Sequence, residues 1–559
     1  MAKQYTFDEL KGITKQLLQT DLAIPDNLLS LLGMAGEILP HDAELSKKIA
    51  RKVLNTAMGM CATDVRHYDV YNNALLFLAS KHKDFDSYML YVEKNRDPEE
   101  QFYLPRRGQL LRTGVIQTMQ KLIDDELDIV SVSMPPGVGK TSLGEFFMSF
   151  MMGHYPNMPN LMSSHSGYMT RMFYDAVLNI IRSNEYCWAD VFPNVDFEGT
   201  NAKEETINLG KWQPFKTLTC RPIRASLTGV TRCEGYLYVD DLVSGIEEAL
   251  SKDRLDKLYG EYTTDLKSRK KKKAKEIHIA TRWSVHDVIG RLERQYANTD
   301  RAEFIAVPDI DPTTGESNFD YDYDVGFDVK YFKDMELSMD DVSYRCLFKS
   351  DPIEREGILY HPEDLLRYLG GLPIDNDGNT KEPDAILAIC DTKDTGTDYN
   401  CLMVFYQYGD KHYLEDVVFK NIDPGTLDIL NADMLVKHHV QEAQFESNKE
   451  GSRTANEVEK LVKEKGGRCH ITKKYTTQNK ETKIIVNSSW VKTHVYFKDP
   501  TEYDPRSDYG VMMAQICSYT QLGKNPHDDG CDCLAMYAQY TDALIGGKVE
   551  IISRADMGI

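Results

Sequence analysis

Several features that would place this chain in a specialised class are missing. Its 559 residues contain no run of eighteen apolar residues, so no membrane-spanning helix is expected. The opening residues, MAKQYTFDELKG, lack the apolar core of a secretion signal. The closest pair of its eleven cysteines, Cys531 and Cys533, is spaced C-x-C, and no C-x-x-C pair marks a zinc site. We therefore expect reduced thiols and a cytoplasmic location.

Positive charge is also in short supply. The chain has 66 lysines and arginines against 87 aspartates and glutamates, a formal net charge of −21. This balance excludes a simple nucleic-acid coat, although an enzyme that handles DNA could concentrate its positive charge in one channel. With 42% hydrophobic and 27% charged residues, the composition is that of a globular protein of roughly two to four domains.

The most informative stretch is SVSMPPGVGKTSL, residues 131–143. An apolar strand precedes it and helical spacing follows it, which is the order of a phosphate-binding loop. The full pattern G-x-x-x-x-G-K-[ST] is incomplete because Met134 replaces its first glycine, and an ordinary tight turn is the alternative. We expect Lys140 to reach the β- and γ-phosphates of ATP and Thr141 to bind Mg²⁺. The predicted nucleotide contacts of the loop are Pro136, Gly137, Val138, Gly139, Lys140, Thr141 and Ser142.

A pair of carboxylates follows a second apolar strand about one hundred residues later. The strand GYLYV (235–239) ends in Asp240 and Asp241, as the magnesium-binding strand of a P-loop ATPase does. Asp240 is predicted to hold Mg²⁺. The carboxylate that orients the attacking water is Asp241, Glu247 or Glu248; the alternative is that these are solvated loop acids.

Other candidates in this half are less specific. Gln109, about thirty residues before the loop, could recognise the adenine edge. Thr281 and Arg282 follow the strand EIHIA, where a hydroxyl and an arginine could sense the γ-phosphate, although a helix cap is an equal alternative. The basic run KSRKKKKAK (267–275) indicates either a solvated loop or contact with DNA phosphates.

The order of elements predicts the fold class. Residues 1–95 have the pattern of a small helical docking domain, and a polar, proline-bearing segment at 97–108 suggests a boundary. Strands then alternate with helices, which predicts an α/β domain with a mostly parallel sheet over residues 96–355 and an active site at the carboxyl ends of its strands. A glycine- and asparagine-rich segment at 356–383 is the predicted linker.

After the linker, acidic residues stand at the ends of predicted elements. Asp391 ends a strand, Glu446 ends a later one, and Asp528 and Asp529 begin a helix. Carboxylates on a three-strand meander, a later parallel strand and a final helix are typical of ribonuclease H-like nucleases, which bind two Mg²⁺ or Mn²⁺ ions. We expect Asp391, Glu446, Asp528 and Asp529 as ligands over residues 384–545. Asp532 is a further candidate of the final group, and His527 could assist or merely cap the helix.

Taken together, these motifs resemble the large subunit of a tailed-bacteriophage terminase, the motor-nuclease that packages viral DNA. The resemblance covers about residues 100–545 and leaves 1–95 and the tail 546–559 aside. It is carried by MPPGVGKTS (134–142), LTGVTRCEGYLYVDDLVSGIEEALS (227–251), TRWSVHDVIGRL (281–292), CDTKDTGTD (390–398), FESNKEG (445–451) and HDDGCD (527–532).

The resemblance implies an ATP-driven translocase of double-stranded DNA joined to a metal-dependent endonuclease. It implies Glu247 or Glu248 as catalytic glutamate, Thr281 as the coupling residue, and Arg254 or Arg269 as an arginine finger offered to a neighbouring subunit. Many family loops carry an arginine where this chain has Pro136, and Asp398 could supplement the nuclease ligands.

It also implies a portal protein, a small terminase subunit and a homo-oligomeric ring, a pentamer, as partners. The expected location is the host cytoplasm, transiently at the portal vertex of the procapsid, with no membrane association. A helicase-like ATPase-nuclease of a restriction or repair system is the alternative enzyme, and a structural phage protein with degenerate sites is the non-enzymatic one.

Overall fold

The computed structural model divides the chain into two compact units. The first comprises Met1–Phe332 and Arg345–Ile353, and the second comprises Lys333–Tyr344 and Glu354–Ile559. Whether 1–95 is a domain separate from 96–355 remains a prediction. The structure describes residues 5–62, 64–225, 232–339, 341–352, 357–375, 378–392, 399–447, 451–476, 478–521, 525 and 527–546.

The first unit begins with helices, as predicted. The Thr6 side chain accepts a hydrogen bond from the Glu9 backbone while the Glu9 carboxylate accepts one from the Thr6 backbone, which is the predicted capping box. Fully buried Leu28, Ala35 and Val53 join the helices in one apolar core. Over the described residues, no helix has the length and apolar character needed to span a membrane. These helices are α1 (Phe7–Leu17), α2 (Pro25–Ile38), α3 (Ala43–Met60), α4 (Arg66–His82) and α5 (Phe85–Val92).

Further helices follow up to residue 347, and the last two of them are divided between the two units. One of them, α6, begins within the segment 97–108 that was predicted as a boundary. The helix tolerates Pro105 because this residue lies in its first turn, where a missing N–H costs little. They are α6 (Tyr103–Arg112), α7 (Val115–Ile123), α8 (Lys140–His154), α9 (Gly167–Arg182), α10 (Trp188–Val191), α11 (Ile246–Ala249), α12 (Lys252–Glu261), α13 (Val288–Gln295), α14 (Val329–Ser338) and α15 (Asp341–Leu347).

The sheet of the first unit confirms the predicted parallel arrangement. Its described strands follow the order β3-β4-β5-β2-β6-β7-β1-β8, and the stretch from β5 to β8 is parallel throughout. The β3–β4 hairpin adds an antiparallel edge that was not predicted. The strands are β1 (Ile129–Ser133), β2 (Asn160–Ser164), β3 (Phe197–Asn201), β4 (Thr206–Leu209), β5 (Leu218–Cys220), β6 (Tyr236–Asp240), β7 (Lys275–Ala280) and β8 (Ala302–Ala306).

Helix α8 is fixed on this sheet by a close approach that only glycine allows. Leu143, Phe147 and Phe150 are buried on α8, which is apolar on nearly every side. A Cβ atom placed on Gly144 would overlap the Tyr238 side chain of β6. The helix that follows the predicted phosphate loop is therefore held against the strand that carries the predicted Mg²⁺ ligand.

The second unit is built on a mixed sheet. Its described strands follow the order β14-β13-β10-β11-β12-β15-β9, in which β10, β11 and β12 form the predicted antiparallel meander. Part of the segment predicted as a linker forms β9, which pairs with β15. The strands are β9 (Leu366–Tyr368), β10 (Ala385–Asp391), β11 (Asn400–Tyr408), β12 (Lys411–Lys420), β13 (Glu442–Glu446), β14 (His470–Lys474) and β15 (Val495–Lys498).

Helices cover this sheet and include the predicted final helix. Ala388, Val404 and Phe445 from three strands are fully buried with side chains of the neighbouring helices. The helices are α16 (Pro424–Lys437), α17 (Gly451–Glu464), α18 (Lys480–His494), α19 (Asp508–Ile516) and α20 (Asp529–Gly546).

The contact between Gly144 and Tyr238 yields a first prediction. Gly144→Ala should lower the free energy of unfolding of the first unit by about 1–3 kcal/mol, because the added methyl group has no space. Gly33→Ala on α2 is the matched control, since nothing lies within 4 Å of its added Cβ, and it should be neutral or slightly stabilising. Urea unfolding of both variants measures the difference, and equal stability of the two would contradict the packing.

Candidate nucleotide and metal sites

The predicted phosphate loop joins β1 to α8 and has the backbone that its glycines permit. Gly137 and Gly139 have φ of +78° and +100°, a region that side-chain-bearing residues rarely adopt. Space is also restricted, since a Cβ on Gly139 would lie 2.6 Å from the Phe102 ring. The loop therefore leads into the amino end of α8, where backbone N–H groups and the helix dipole favour an anion.

Lys140 connects this loop to two other predicted residues. Its side chain is 6% exposed, and its ammonium group donates to the Pro135 carbonyl at 2.8 Å and to the Thr281 hydroxyl at 2.9 Å. The Thr281 backbone N–H donates in turn to the Asp241 carboxylate at 2.7 Å. Burial lowers the pKa of Lys140, while the charges of Asp241 and Asp240 oppose that shift. Lys140, Thr281 and Asp241 thus form one connected group.

Asp240, close to Lys140 and Asp241, is a buried carboxylate. It is 0% exposed, and among the described residues neither oxygen makes a hydrogen bond of good geometry. Burial, followed by the charge of Asp241, raises its pKa to about 8, and the nearby Thr141 hydroxyl and Lys140 act in the opposite direction. A buried carboxylate beside a threonine hydroxyl fits the oxygen ligands that Mg²⁺ prefers. These two residues are therefore suited to hold the ion as predicted.

Of the two candidate glutamates, Glu248 has a described side chain with several partners. Glu248 is buried, and its carboxylate accepts from the Arg224 guanidinium at 2.6 Å and from the Ser244 N–H and hydroxyl at 2.8 and 2.9 Å. Burial would raise its pKa, but these donors lower it overall. The side chain of Glu247, on α11, lies outside the described part. Both oxygens of Glu248 are therefore already engaged.

Of the remaining candidates, one is exposed and the others have partners outside this group. Arg254 is exposed on α12, and the Nε of half-buried Arg269 donates to the Asp265 carbonyl at 3.3 Å. Gln109 donates to the Asp320 carbonyl at 2.6 Å. Arg282 is buried and pairs with Asp287, the cap of α13, at 3.0 Å. The helix-cap alternative therefore accounts for Arg282.

One arginine beside the loop was missed by sequence reasoning. The Arg106 guanidinium lies between the rings of Phe102 and Tyr321, at 4.8 and 5.0 Å from their centres, and next to Gly139. Tyr321 also donates to the Val138 carbonyl of the loop at 3.2 Å. Burial lowers the pKa of Arg106. No sequence motif links residues this far apart, so only the fold reveals a cation against the phosphate loop.

The second unit gathers three buried carboxylates. Oxygens of Asp391, Glu446 and Asp532 lie within 4.8 Å of one another, from the ends of β10 and β13 and from the first turn of α20. Burial raises the pKa of Asp391 well above its ordinary value, with Lys480 opposing the shift. Burial likewise raises the pKa of Asp532, opposed by Lys483 and Lys480. Clustered carboxylates of this kind fit hard divalent cations.

Two lysines of α18 that the sequence did not single out adjoin this cluster. The Lys480 ammonium lies 3.7 Å from Asp391, 3.4 Å from Asp532 and 3.3 Å from Asp528. Lys483 is fully buried and pairs with Asp532 at 2.6 Å. Since a buried charge is costly without a partner, these lysines balance part of the negative charge of the carboxylates.

The structure places the other predicted nuclease residues around the cluster. Asp529 is not part of the three-carboxylate group. One of its oxygens accepts a hydrogen bond from the Gln515 amide at 3.3 Å. Asp528 forms an ion pair with Lys480, which in turn contacts the cluster. The His527 ring packs edge-on against Tyr399, with ring centres 5.5 Å apart. Asp398 falls outside the described residues.

Comparisons with known proteins find structural likeness without sequence matches. No protein-family model and no curated protein matches the sequence. The large terminase of a thermophilic bacteriophage matches with a TM-score of 0.41 and 11% identity, over 78% of this chain and 98% of that one. The complex of that terminase with ADP matches with a TM-score of 0.40 over 77% of this chain and 98% of that one, also at 11% identity.

A third match is to a nuclease domain alone. The manganese-soaked, inhibitor-bound human cytomegalovirus terminase nuclease domain matches with a TM-score of 0.26 and 12% identity, over 33% of this chain and 94% of that one. Because one fold can carry unrelated chemistries, the chemistry of a chain depends on the residues of its own sites.

The carboxylate cluster predicts which aspartate of α20 binds metal. Asp532→Asn should abolish the Mn²⁺-induced rise in melting temperature of the second unit, because it removes one of three converging ligands. Asp529→Asn, three residues away, should retain that rise. Circular dichroism establishes that both variants are folded before Mn²⁺ is added. Retention of the response in Asp532→Asn, with its loss in Asp529→Asn, would reverse the assignment.

A pH dependence follows from Glu145, which lies on α8 near Asp240. Burial raises the pKa of Glu145 from 4.5 to about 7, with the Ser142 hydroxyl opposing the shift. The folded state therefore favours the protonated form, and this stabilisation is present below pH 4.5 and is lost as the pH rises through 7. The total loss over this range is about 3 kcal/mol.

Glu145→Gln should remove that part of the pH dependence. Urea unfolding of the nucleotide-free protein at pH 5 and pH 7.5 should show a smaller loss of stability in the variant than in the wild type. Other titrating groups are common to both proteins and cancel in the comparison. Parallel pH profiles for the two proteins would contradict the buried, protonated state of Glu145.

Proposed function

We propose that this protein is the large subunit of a viral terminase, an ATP-driven translocase of double-stranded DNA that also cuts DNA with the aid of divalent metal ions. The observation that carries the proposal is the presence of two separate constellations in one chain. One joins Lys140, Thr281 and Asp241 beside a phosphate loop, and the other joins Asp391, Glu446 and Asp532. The motifs that resemble terminases supply the residues of both.

The first constellation fits ATP hydrolysis. Thr141 and Asp240 would hold Mg²⁺, which neutralises charge on the β- and γ-phosphates. Lys140 would exchange its bonds to the Pro135 carbonyl and the Thr281 hydroxyl for phosphate oxygens. Nucleotide binding would break the bond from Lys140 to the Thr281 hydroxyl, while the Thr281 N–H keeps its bond to Asp241. Re-formation of the Lys140–Thr281 bond after hydrolysis and product release is a route from chemistry to movement of the segment that leads to α13.

Arg106 and the catalytic glutamate complete the proposed ATPase site. The Arg106 cation, held between two rings against Gly139, would face the negative charge of a bound nucleotide. Glu248 would have to exchange a bond to Arg224 or Ser244 in order to orient water, and Glu247 and Asp241 are the other candidates for this base. Arg254, exposed on α12, or Arg269 would serve a neighbouring subunit, and Gln109 would lie on the adenine side.

The second constellation fits phosphodiester hydrolysis. Asp391, Glu446 and Asp532, with Asp528 and Asp529 nearby, would hold two Mg²⁺ or Mn²⁺ ions, whose chemistry is activation of water and stabilisation of the leaving oxygen. Lys483 fixes the Asp532 carboxylate through its buried ion pair. Lys480 is 44% exposed at its side chain and lies at the edge of the cluster, where it would contact a DNA phosphate when it leaves the carboxylates.

The partners of such a motor are part of the same proposal. We propose a portal protein and a small terminase subunit as protein partners, and a homo-oligomeric ring, a pentamer, as the working assembly. The site of action would be the host cytoplasm and, during packaging, the portal vertex of the procapsid. Residues 1–95 would provide a docking domain.

Two single variants test the proposal. Lys140→Ala should lower ATP turnover by about a hundredfold or more, because the phosphates lose their principal cation, while metal-dependent cutting of naked DNA remains. Asp391→Ala should show the opposite pattern. Lys48→Ala, an exposed lysine of α3, is the control for loss of a charge.

The outcomes separate the two halves of the proposal. Steady-state release of phosphate measures the ATPase, and plasmid nicking with Mg²⁺ or Mn²⁺ measures the nuclease. Normal ATP turnover in Lys140→Ala would overturn the nucleotide site. Undiminished nicking by Asp391→Ala would overturn the nuclease site.

A further inference from the structure

Part of the amino edge of the first sheet, opposite the nucleotide site, carries a concentration of positive charge, and it is bordered by the acidic loop 124–128 before β1. Four loops reach this edge immediately before β2, β5, β6 and β7, and we call them together the amino-edge surface. They contain nine lysines and arginines and a single carboxylate, Glu234, in a chain whose net charge is −21. The loops are residues 155–159, 210–217, 232–235 and 267–274.

The loops lie side by side because their strands do. The strands that they precede are neighbours in the order β5-β2-β6-β7 and run parallel, so their amino ends share one edge. Three strand spacings extend for about 14 Å. This width matches a groove and its flanking phosphates on duplex DNA, which carries one negative charge per ~1.7 Å of its axis.

Hydrogen bonds connect each loop to the next and make the surface rigid. The Thr217 hydroxyl donates to the Pro156 carbonyl at 2.6 Å, and the Glu234 N–H donates to the Pro159 carbonyl at 2.8 Å. The Lys271 N–H donates to the Cys233 carbonyl at 2.8 Å. A surface held in this way loses little conformational entropy when a partner binds.

The basic run is divided between structural and exposed lysines. Lys270 pairs with buried Glu276 at 2.5 Å, and Lys267 donates to the Tyr296 hydroxyl at 2.9 Å. Lys271, Lys272 and Lys273 are exposed at the turn that precedes β7. The inner lysines therefore anchor the turn, and the next three present their charge to solvent.

At the other end of the surface stands an exposed tryptophan. The Trp212 side chain is 70% exposed, and the Lys216 ammonium lies 5.0 Å from its ring centre. Its loop is fixed by Gly210, whose φ is +70° and whose added Cβ would lie 2.7 Å from the Asn157 side chain. Exposed tryptophans on rigid loops are typical of binding surfaces, since burial of the ring on contact is strongly favourable.

We propose that the amino-edge surface binds the backbone of double-stranded DNA, with Lys271–Lys273 and Lys211 contacting phosphates and Trp212 packing against the duplex. The inference rests on the proposed function, because that function supplies DNA as the partner. It places DNA contact on the edge of the sheet away from Lys140 and Asp240, so DNA and nucleotide bind the first unit without competing for the same side chains.

Salt dependence of binding tests this proposal. Binding of a fluorescein-labelled duplex to the full chain is measured by anisotropy in EDTA, which prevents cutting, from about 50 to 200 mM NaCl. The triple variant K271A/K272A/K273A should bind more weakly and should reduce the slope of log K against log salt by roughly 2–3, since each lost phosphate contact accounts for about 0.9. An unchanged slope overturns the proposal.

Matched controls define what counts as an effect. The variant K15A/K48A/K52A removes the same charge from exposed positions of the helical region and should leave the slope unchanged. An equal loss in this control would show an effect of net charge alone and would also overturn the proposal. Trp212→Ala should weaken binding by roughly fivefold or more with little change in slope, and unchanged affinity overturns the assignment of Trp212.

The experiment separates failure of this inference from failure of the proposed function. ATP turnover and metal-dependent nicking by the wild type are measured in parallel. If both activities are absent, the proposed function fails, whatever the anisotropy shows. If both are present and the triple variant binds DNA like the wild type, only the amino-edge surface is refuted.

Discussion

The burial of carboxylates next to one another, without enough cations to balance them, is the constraint on which both sites depend. Asp240 ends a strand of the parallel stretch of the first sheet, and Asp391 ends β10, which runs parallel to β13, the strand that ends in Glu446. The pKa values of Asp240 and Asp391 are raised by burial, and the lysines that reach them compensate only part of the charge. Such an arrangement lowers the free energy of unfolding unless a cation occupies it. Cation binding, rather than folding stability, therefore accounts for the presence of these buried carboxylates.

The carboxyl and amino edges of the first sheet carry different kinds of side chains. The carboxyl edge carries the phosphate loop, Asp240 and Thr281, where backbone N–H groups and a buried lysine favour a triphosphate. The amino edge carries exposed lysines and Trp212, which favour a longer polyanion. Because parallel strands have all their amino ends on one side, a few short loops are enough to create the second surface. This local surface is the basis of the proposed DNA contact in an otherwise acidic chain.

Much of the fold could be predicted from local patterns. The strand before the glycine loop, the alternation with helices and the later three-strand meander each follow from apolar periodicity, and the structure confirms them. The β3–β4 hairpin was not predicted, because β3 lies largely exposed at the edge of the sheet and carries little apolar signal, and β4 has only four residues. The helix α6 was also missed, since Pro105 and charged neighbours resemble a linker.

The sites show a similar division. Lys140, Asp240, Asp391 and Glu446 could be predicted because each follows a strand or loop with a recognisable pattern. The grouping of Asp532, rather than Asp529, with Asp391 and Glu446 could not, since the two aspartates lie less than a turn apart and only the packing of α20 decides which of them lies against the strands. Arg106 and Lys483 reach their sites from elements distant in sequence, and a single sequence gives no sign of such contacts.

The central claim is that one polypeptide contains two independent pockets, one for a nucleotide with its metal ion and one for a metal-dependent nuclease. Anomalous diffraction from crystals grown with Mn²⁺ and a non-hydrolysable ATP analogue tests it most directly. The account predicts manganese beside Thr141 and Asp240, with the analogue on the Lys140 loop, and manganese between Asp391, Glu446 and Asp532. An analogue bound elsewhere, or a well-ordered cluster of these three carboxylates without manganese, would contradict it.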